Sequence, residues 1–120
     1  MRLSWSDDGG RSWAAAIKVS QKILDANYPW FSVTQDGKAL LVFQGRDPQK
    51  RSGWNGLGVY LVEIAADGKV SEPMSVPGIT SSVKRPTVTA GLGGRVYVTW
   101  TSESNDQPAV FMTRARKAEP

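Results

Sequence analysis

The sequence predicts an all-β chain, and three observations carry that expectation. Short alternating apolar runs recur along its whole length. Val, Tyr, Phe, Trp and Thr fill them, as half-buried pleated surfaces prefer. Turn signals separate them: Gln35-Asp36-Gly37, Ala66-Asp67-Gly68 and Leu92-Gly93-Gly94. No segment keeps a 3.6-residue apolar period over the length a stable helix needs.

The runs follow in order. Ile17-Lys18-Val19 comes first. Phe31 to Thr34 and Ala39 to Phe43 flank the Asp36-Gly37 turn, so they read as a hairpin. Val59 to Ile64 and Val70 to Val76 flank Asp67-Gly68 in the same way. Pro86 to Ala90, Val96 to Thr101 and Ala109 to Thr113 complete about nine strands.

An internal repeat organises them. Pro29 and Pro86 stand 57 positions apart, and each opens a strand that runs to a glycine turn. The apolar strand after each turn ends on an aromatic, Phe43 or Trp100, again 57 apart. Val42 and Thr99 keep the same interval. A repeat of this length holds four short antiparallel strands, the size of one β-propeller blade.

Composition sets limits on chemistry. The 120 residues include no Cys and no His. Cysteine nucleophiles, disulfides, Ser-His-Asp triads and His/Cys zinc sites are thereby excluded. Acid–base work would fall to Asp, Glu, Lys or Tyr. The net charge is +4, and the densest basic cluster is Arg114, Arg116 and Lys117. Such a short cluster reads as a solvated tail, so no nucleic-acid partner is expected. The N-terminus lacks the apolar segment of a signal peptide. No stretch approaches the roughly 18 apolar residues of a membrane helix, and no membrane partner is expected.

The most informative stretch is Ser6-Asp7-Asp8-Gly9-Gly10-Arg11-Ser12-Trp13. Asp8 can accept hydrogen bonds from backbone N–H groups in a tight turn. Gly10 can take positive φ without steric cost. Ser6 and Ser12 can tie the turn through side-chain-to-backbone bonds. Trp13 leaves the turn and is expected to bury its ring between neighbouring elements, where its loss would cost about 3–5 kcal/mol. An ordinary Asp-Asp-Gly-Gly hairpin beside a core tryptophan is the simpler alternative.

This stretch resembles the Asp-box, Ser-x-Asp-x-Gly-x-Thr-Trp, with Ser12 in place of Thr. The Asp-box is the turn signature repeated in the sialidase (neuraminidase) superfamily and related propellers, also called BNR repeats. Ala66-Asp67-Gly68-Lys69 looks like a degenerate copy that has lost Ser and Trp. The resemblance covers nearly the whole chain. It implies a single partial propeller of about two four-stranded antiparallel blades plus a fraction. Residues 1–20 would end one blade, with the Asp-box as its outer turn. Residues 28–76 would form a complete blade and residues 84–116 a three-stranded final one. The parent would then be a six-bladed sialidase-like propeller, secreted or periplasmic, of which this chain is the C-terminal third. Its first and last strands would be open edges, completed by missing blades or by self-association.

The resemblance makes the Asp-box residues Ser6, Asp8, Gly10, Ser12 and Trp13 structural. Ligands in such propellers bind at the other face, on the connections Ser20–Trp30, Gln44–Gly58, Val76–Pro86 and Thr101–Pro108. The Gln44–Gly58 loop is the richest, with Arg46, Asp47, Lys50, Arg51, Trp54 and Asn55. Arg can fork a carboxylate and Trp can stack on a sugar face. Trp30, Arg46, Asp47, Arg51, Trp54 and Arg85 are therefore the candidate ligand-binding residues. A mobile polar loop with one Trp packed at its base is the alternative.

A working sialidase needs an arginine triad, a Tyr nucleophile with a Glu partner, and an Asp acid/base; its Tyr sets it apart from two-carboxylate glycosidases. Tyr28 is placed like that Tyr, just before an inner strand. Pro29 and Trp30 follow it where the family has a small polar residue, and a packing role beside Pro29 needs no chemistry. The family's Arg-Ile-Pro signature is missing, and Arg85-Pro86 lacks the middle residue. No catalytic residue is assigned, and no metal or cofactor is expected. Three function classes remain: a non-catalytic carbohydrate- or protein-binding scaffold, part of a sialidase-type glycoside hydrolase, and an assembly propeller.

Overall fold

The structure is a computed structural model, and it describes residues 1–104 and 107–116, with the side chains of 103, 104, 107 and 116 excepted. Residues 105 and 106 of the Thr101–Pro108 connection and Lys117 of the basic cluster lie outside the described residues. Among the described residues nine strands run in chain order: β1 (Arg2–Leu3), β2 (Ile17–Lys18), β3 (Leu24–Val33), β4 (Ala39–Arg46), β5 (Gly58–Ile64), β6 (Met74–Ser75), β7 (Val83–Ala90), β8 (Arg95–Ser104) and β9 (Gln107–Arg116). One 3₁₀ turn, Leu92–Gly94, joins β7 to β8, and there is no α-helix among the described residues. The all-β expectation is met.

The strands form three antiparallel sheets, each in chain order: β1-β2, β3-β4-β5-β6 and β7-β8-β9. β4 reads as the unbroken apolar run Ala39 to Phe43 because it is covered on both faces, which removes the need for alternation. Leu40 and Val42 join Val59, Val88, Val98 and Trp100 in a core between the second and third sheets. Leu41 and Phe43 join Val19, Ile23, Tyr60 and Val62 in a second core, shared with the first sheet. Each fully buried side chain of this size contributes about 1.5–3 kcal/mol.

The 57-residue repeat is present in the strand register. β3 and β4 pair Asn27 with Gln44, Trp30 with Val42 and Val33 with Ala39. β7 and β8 pair Lys84 with Thr101, Thr87 with Thr99 and Ala90 with Val96, each 57 positions later. A bulge falls between Asn27 and Trp30 and again between Lys84 and Thr87. The turns repeat as well: Thr34 N–H donates to Lys38 O, and Gly91 N–H to Arg95 O. The outer pairing Leu3 with Ile17 recurs as Leu61 with Met74.

Several boundaries differ from expectation. β3 and β7 begin at Leu24 and Val83, so Pro29 and Pro86 sit within strands and not at their starts. Both lie at the bulges, the place in a strand that tolerates a residue with no N–H. The expected strand Val70–Val76 is reduced to Met74–Ser75 and one bridge from Val70 to Ile64. Pro73 interrupts it by removing a ladder donor.

Candidate functional site

The meander puts its connections at two ends. One end carries the turns Thr34–Lys38, Ala65–Lys69 and Gly91–Arg95, together with the Ser6–Trp13 turn, whose neighbour Trp5 packs on Gly68. The other carries the loop from Arg46 to Gly58 and the starts of β3 and β7.

In the Ser6–Trp13 turn Ser6, Asp8 and Gly10 take the expected roles, whereas the Ser12 hydroxyl bonds the Asp8 side chain and not the backbone. Asp8 Oδ1 accepts the N–H of Arg11 at 3.0 Å and of Ser12 at 2.9 Å. It also accepts the Ser6 hydroxyl at 2.7 Å, while the Ser12 hydroxyl donates to Oδ2 at 2.5 Å. The Ser12 hydroxyl first, then its N–H and Ser6, stabilise the ionised carboxylate and hold its pKa at about 2. Gly10 has a φ of 92°, and its N–H donates to Ser6 Oγ. The expectation for Trp13 fails. Its ring is 64% exposed and folds back on its own turn, with Nε1 donating to Gly10 O at 3.1 Å. That bond holds the indole over the turn and away from both cores.

At the other end, the sequence-predicted residues are only partly gathered. Arg46, at the end of β4, pairs with Asp25 at the start of β3, 3.4 Å away. Asp47 folds the loop by accepting the Gln49 N–H at 2.9 Å. Trp54 donates its indole N–H to Leu57 O at 2.8 Å and packs under Gly56, so it braces the base of the loop. It also lines a cleft of about 210 Å³ with Lys50, Tyr60, Val76 and Ile79. Trp30 is exposed on β3, an edge strand of the second sheet. Arg51 and Arg85 are exposed, and neither forms an ion pair among the described residues. Arg85 contributes through its backbone: its N–H donates to the buried Gln44 side chain at 3.1 Å, which ties the third sheet to the second. Ser32 Oγ makes a similar tie by accepting the Ala90 N–H.

Tyr28 is exposed, with a φ of 54°. No carboxylate hydrogen-bonds its hydroxyl among the described residues. No group of three or more Asp or Glu suited to a metal occurs among the described residues.

Two features escaped sequence reasoning. Tyr60 stacks on Phe43 across β4 and β5, and burial, then the Asp47 carboxylate, push its hydroxyl pKa up. A groove of about 540 Å³ opens at the turn end between the second and third sheets. Leu40, Leu61, Met74 and Val96 line it, and Lys38 and Glu63 stand at its rim. Its residues come from six strands and two turns, so no single stretch signals it. Searches against known protein families, curated proteins and solved structures returned no match.

Proposed function

We propose that the chain is a segment of a sialidase-like β-propeller and works as a non-catalytic scaffold that binds a carbohydrate or protein ligand. One observation carries the reading: successive sheets repeat the same register, bulge and turn at a 57-residue interval. Stacked antiparallel four-stranded units of this length are the building block of propellers. The Ser6–Trp13 turn adds the hydrogen bonds an Asp-box would make.

The ligand end is the one opposite that turn, where Arg51 and Arg85 are exposed. Arg46 is engaged with Asp25, which leaves Arg51 and Arg85 as the arginines for an acidic sugar or acidic side chain. Pro29 and Trp30 after Tyr28, where the family has a small polar residue, favour binding over hydrolysis. A glycan array probed with the purified chain tests this, with a fluorogenic sialoside beside it. Binding of acidic glycans that falls with Arg51→Ala and Arg85→Ala, without sialoside turnover, is the expected result. Turnover lost in Tyr28→Phe would overturn it in favour of the hydrolase reading.

The assembly reading has its own support. The first sheet has two strands and the third has three, against four in the second. Among the described residues β9 pairs only with β8, and its exposed Val110 and Met112 stand beside that edge. Concentration-dependent mass in size-exclusion chromatography would favour self-association.

A further inference from the structure

The backbone of β9 points outward at every second residue. Gly91 N–H donates to Arg95 O at 2.8 Å, so Arg95, Tyr97 and Thr99 turn their backbone groups toward β7. Val96, Val98 and Trp100 turn theirs toward β9, where the register sets them against Ala115, Thr113 and Phe111. The N–H and C=O groups of Val110, Met112 and Arg114 are left facing away from β8, and no strand pairs with them among the described residues. Pro108 has no N–H to offer on that side, so the free edge begins at Val110.

The other two sheets cover the equivalent edge. Gln44, Val42 and Leu40 pair with Val59, Leu61 and Glu63. Thr101, Thr99 and Tyr97, each 57 positions later, pair with Val110, Met112 and Arg114. In the second sheet Val59 O accepts the Val76 N–H and Glu63 O the Ser71 N–H, both at 2.9 Å, with Met74 opposite Leu61. In the first, Met1 O accepts the Val19 N–H at 3.1 Å and Trp5 O the Ala14 N–H at 2.8 Å, with Ile17 opposite Leu3. Each covering strand brings a long apolar side chain, followed two residues later by a buried valine, Val19 or Val76.

The charges at this edge select its partner. Lys38 and Glu63 form an ion pair at 3.0 Å in the second sheet. Arg95 and Arg114 hold those two places in the third sheet, and neither forms an ion pair among the described residues. β9 carries Arg114 and Arg116 and no acid, so pairing β9 with its copy would add like charges, which repel across a ladder. We infer, building on the open edge of the assembly reading, that β9 docks an extended acidic segment of a partner protein as a fourth antiparallel strand. Its spacing is acidic–x–apolar–x–Val. The apolar residue lies opposite Met112, the valine opposite Val110 and the acid beside Arg114. Main-chain bonds to the three outward residues give the affinity, and alternate side chains give the selection.

Glu72-Pro73-Met74-Ser75-Val76 has this spacing, so a synthetic peptide copying residues 69–78 is the probe. It is added unlabelled to the full, isotope-labelled chain. The Met112 methyl should move with a midpoint at or below about 1 mM, while the Met1 and Met74 methyls stay in place. At ten times the midpoint concentration, amide exchange at Val110, Met112 and Arg114 should slow about tenfold by mass action. Ala109, Phe111 and Thr113, already bonded to β8, should change far less. A peptide carrying Glu72→Lys should bind about two- to fivefold more weakly, the size of an exposed charge pair, and Arg114→Glu in the protein should reverse that preference. Fast exchange at the three amides in dilute free protein is the result an open edge requires; protection already present there would sink the open edge and the docking together. Fast exchange that several times 1 mM peptide leaves unchanged would overturn the docking alone. So would a preference for Glu72 that survives Arg114→Glu.

Discussion

Tyr28 and Arg85 stand 57 positions apart, and both hold left-handed backbone immediately before a proline, with φ of 54° and 53°. A side chain in that region costs about 1–2 kcal/mol relative to right-handed backbone. The cost falls twice at the same step of the repeat, and at Arg85 the bulge frees the N–H to reach Gln44.

Arg85→Gly should therefore stabilise the protein by about 0.5–1 kcal/mol, the relief of strain less the entropy glycine adds to the unfolded chain. Arg85→Ala keeps a Cβ and should change little. Urea midpoints of the two variants check this; a glycine variant less stable than the alanine one would show that the conformation is unstrained.

The aromatic pairs Phe43–Tyr60 and Trp100–Phe111 occupy matching places in the two larger sheets, with centroids 6.1 and 6.0 Å apart. Phe43→Ala and Trp100→Ala should each cost about 3–5 kcal/mol. Double-mutant cycles in chemical denaturation should give a coupling of about 0.5–1.5 kcal/mol within each pair. Coupling in one pair and none in the other would break the equivalence of the sheets.

Trp13 should behave unlike Trp100. With its ring 64% exposed and one hydrogen bond to Gly10 O, Trp13→Ala should cost about 1 kcal/mol. A loss of several kcal/mol in a thermal melt would mean that the indole is buried in solution, as the sequence pattern leads one to expect.

The Asp8 carboxyl should titrate near pH 2, against 3.8 for an ordinary aspartate. Because the folded pKa is the lower one, the carboxylate's contribution is complete above the unfolded value. It fades as pH falls from about 3.8 through about 2. Carboxyl ¹³C NMR reads the midpoint directly, and Ser12→Ala should raise it by removing the largest stabilising bond. An unchanged midpoint in that variant would contradict the geometry.

The all-β class, the repeat interval and the polar roles of Ser6, Asp8 and Gly10 were legible in the chain because each depends on local physics. Alternation sets a strand face, glycine permits positive φ, and short polar side chains reach backbone groups a few residues away. The site was less legible. Nothing in the sequence distinguishes Arg46, paired with Asp25 across 21 positions, from Arg51, which is not. Likewise, Trp54 reads as a ligand platform until its indole is seen braced on Leu57.

What the sequence determined alone was the unit: short strands, their turns and the interval at which both recur. The stacking of the sheets decided the rest. It buried both faces of β4, held Trp13 outside either core, and opened a groove between the second and third sheets. Those outcomes depend on which side chains meet across sheets, and contacts between residues far apart in the chain leave no periodic trace along it.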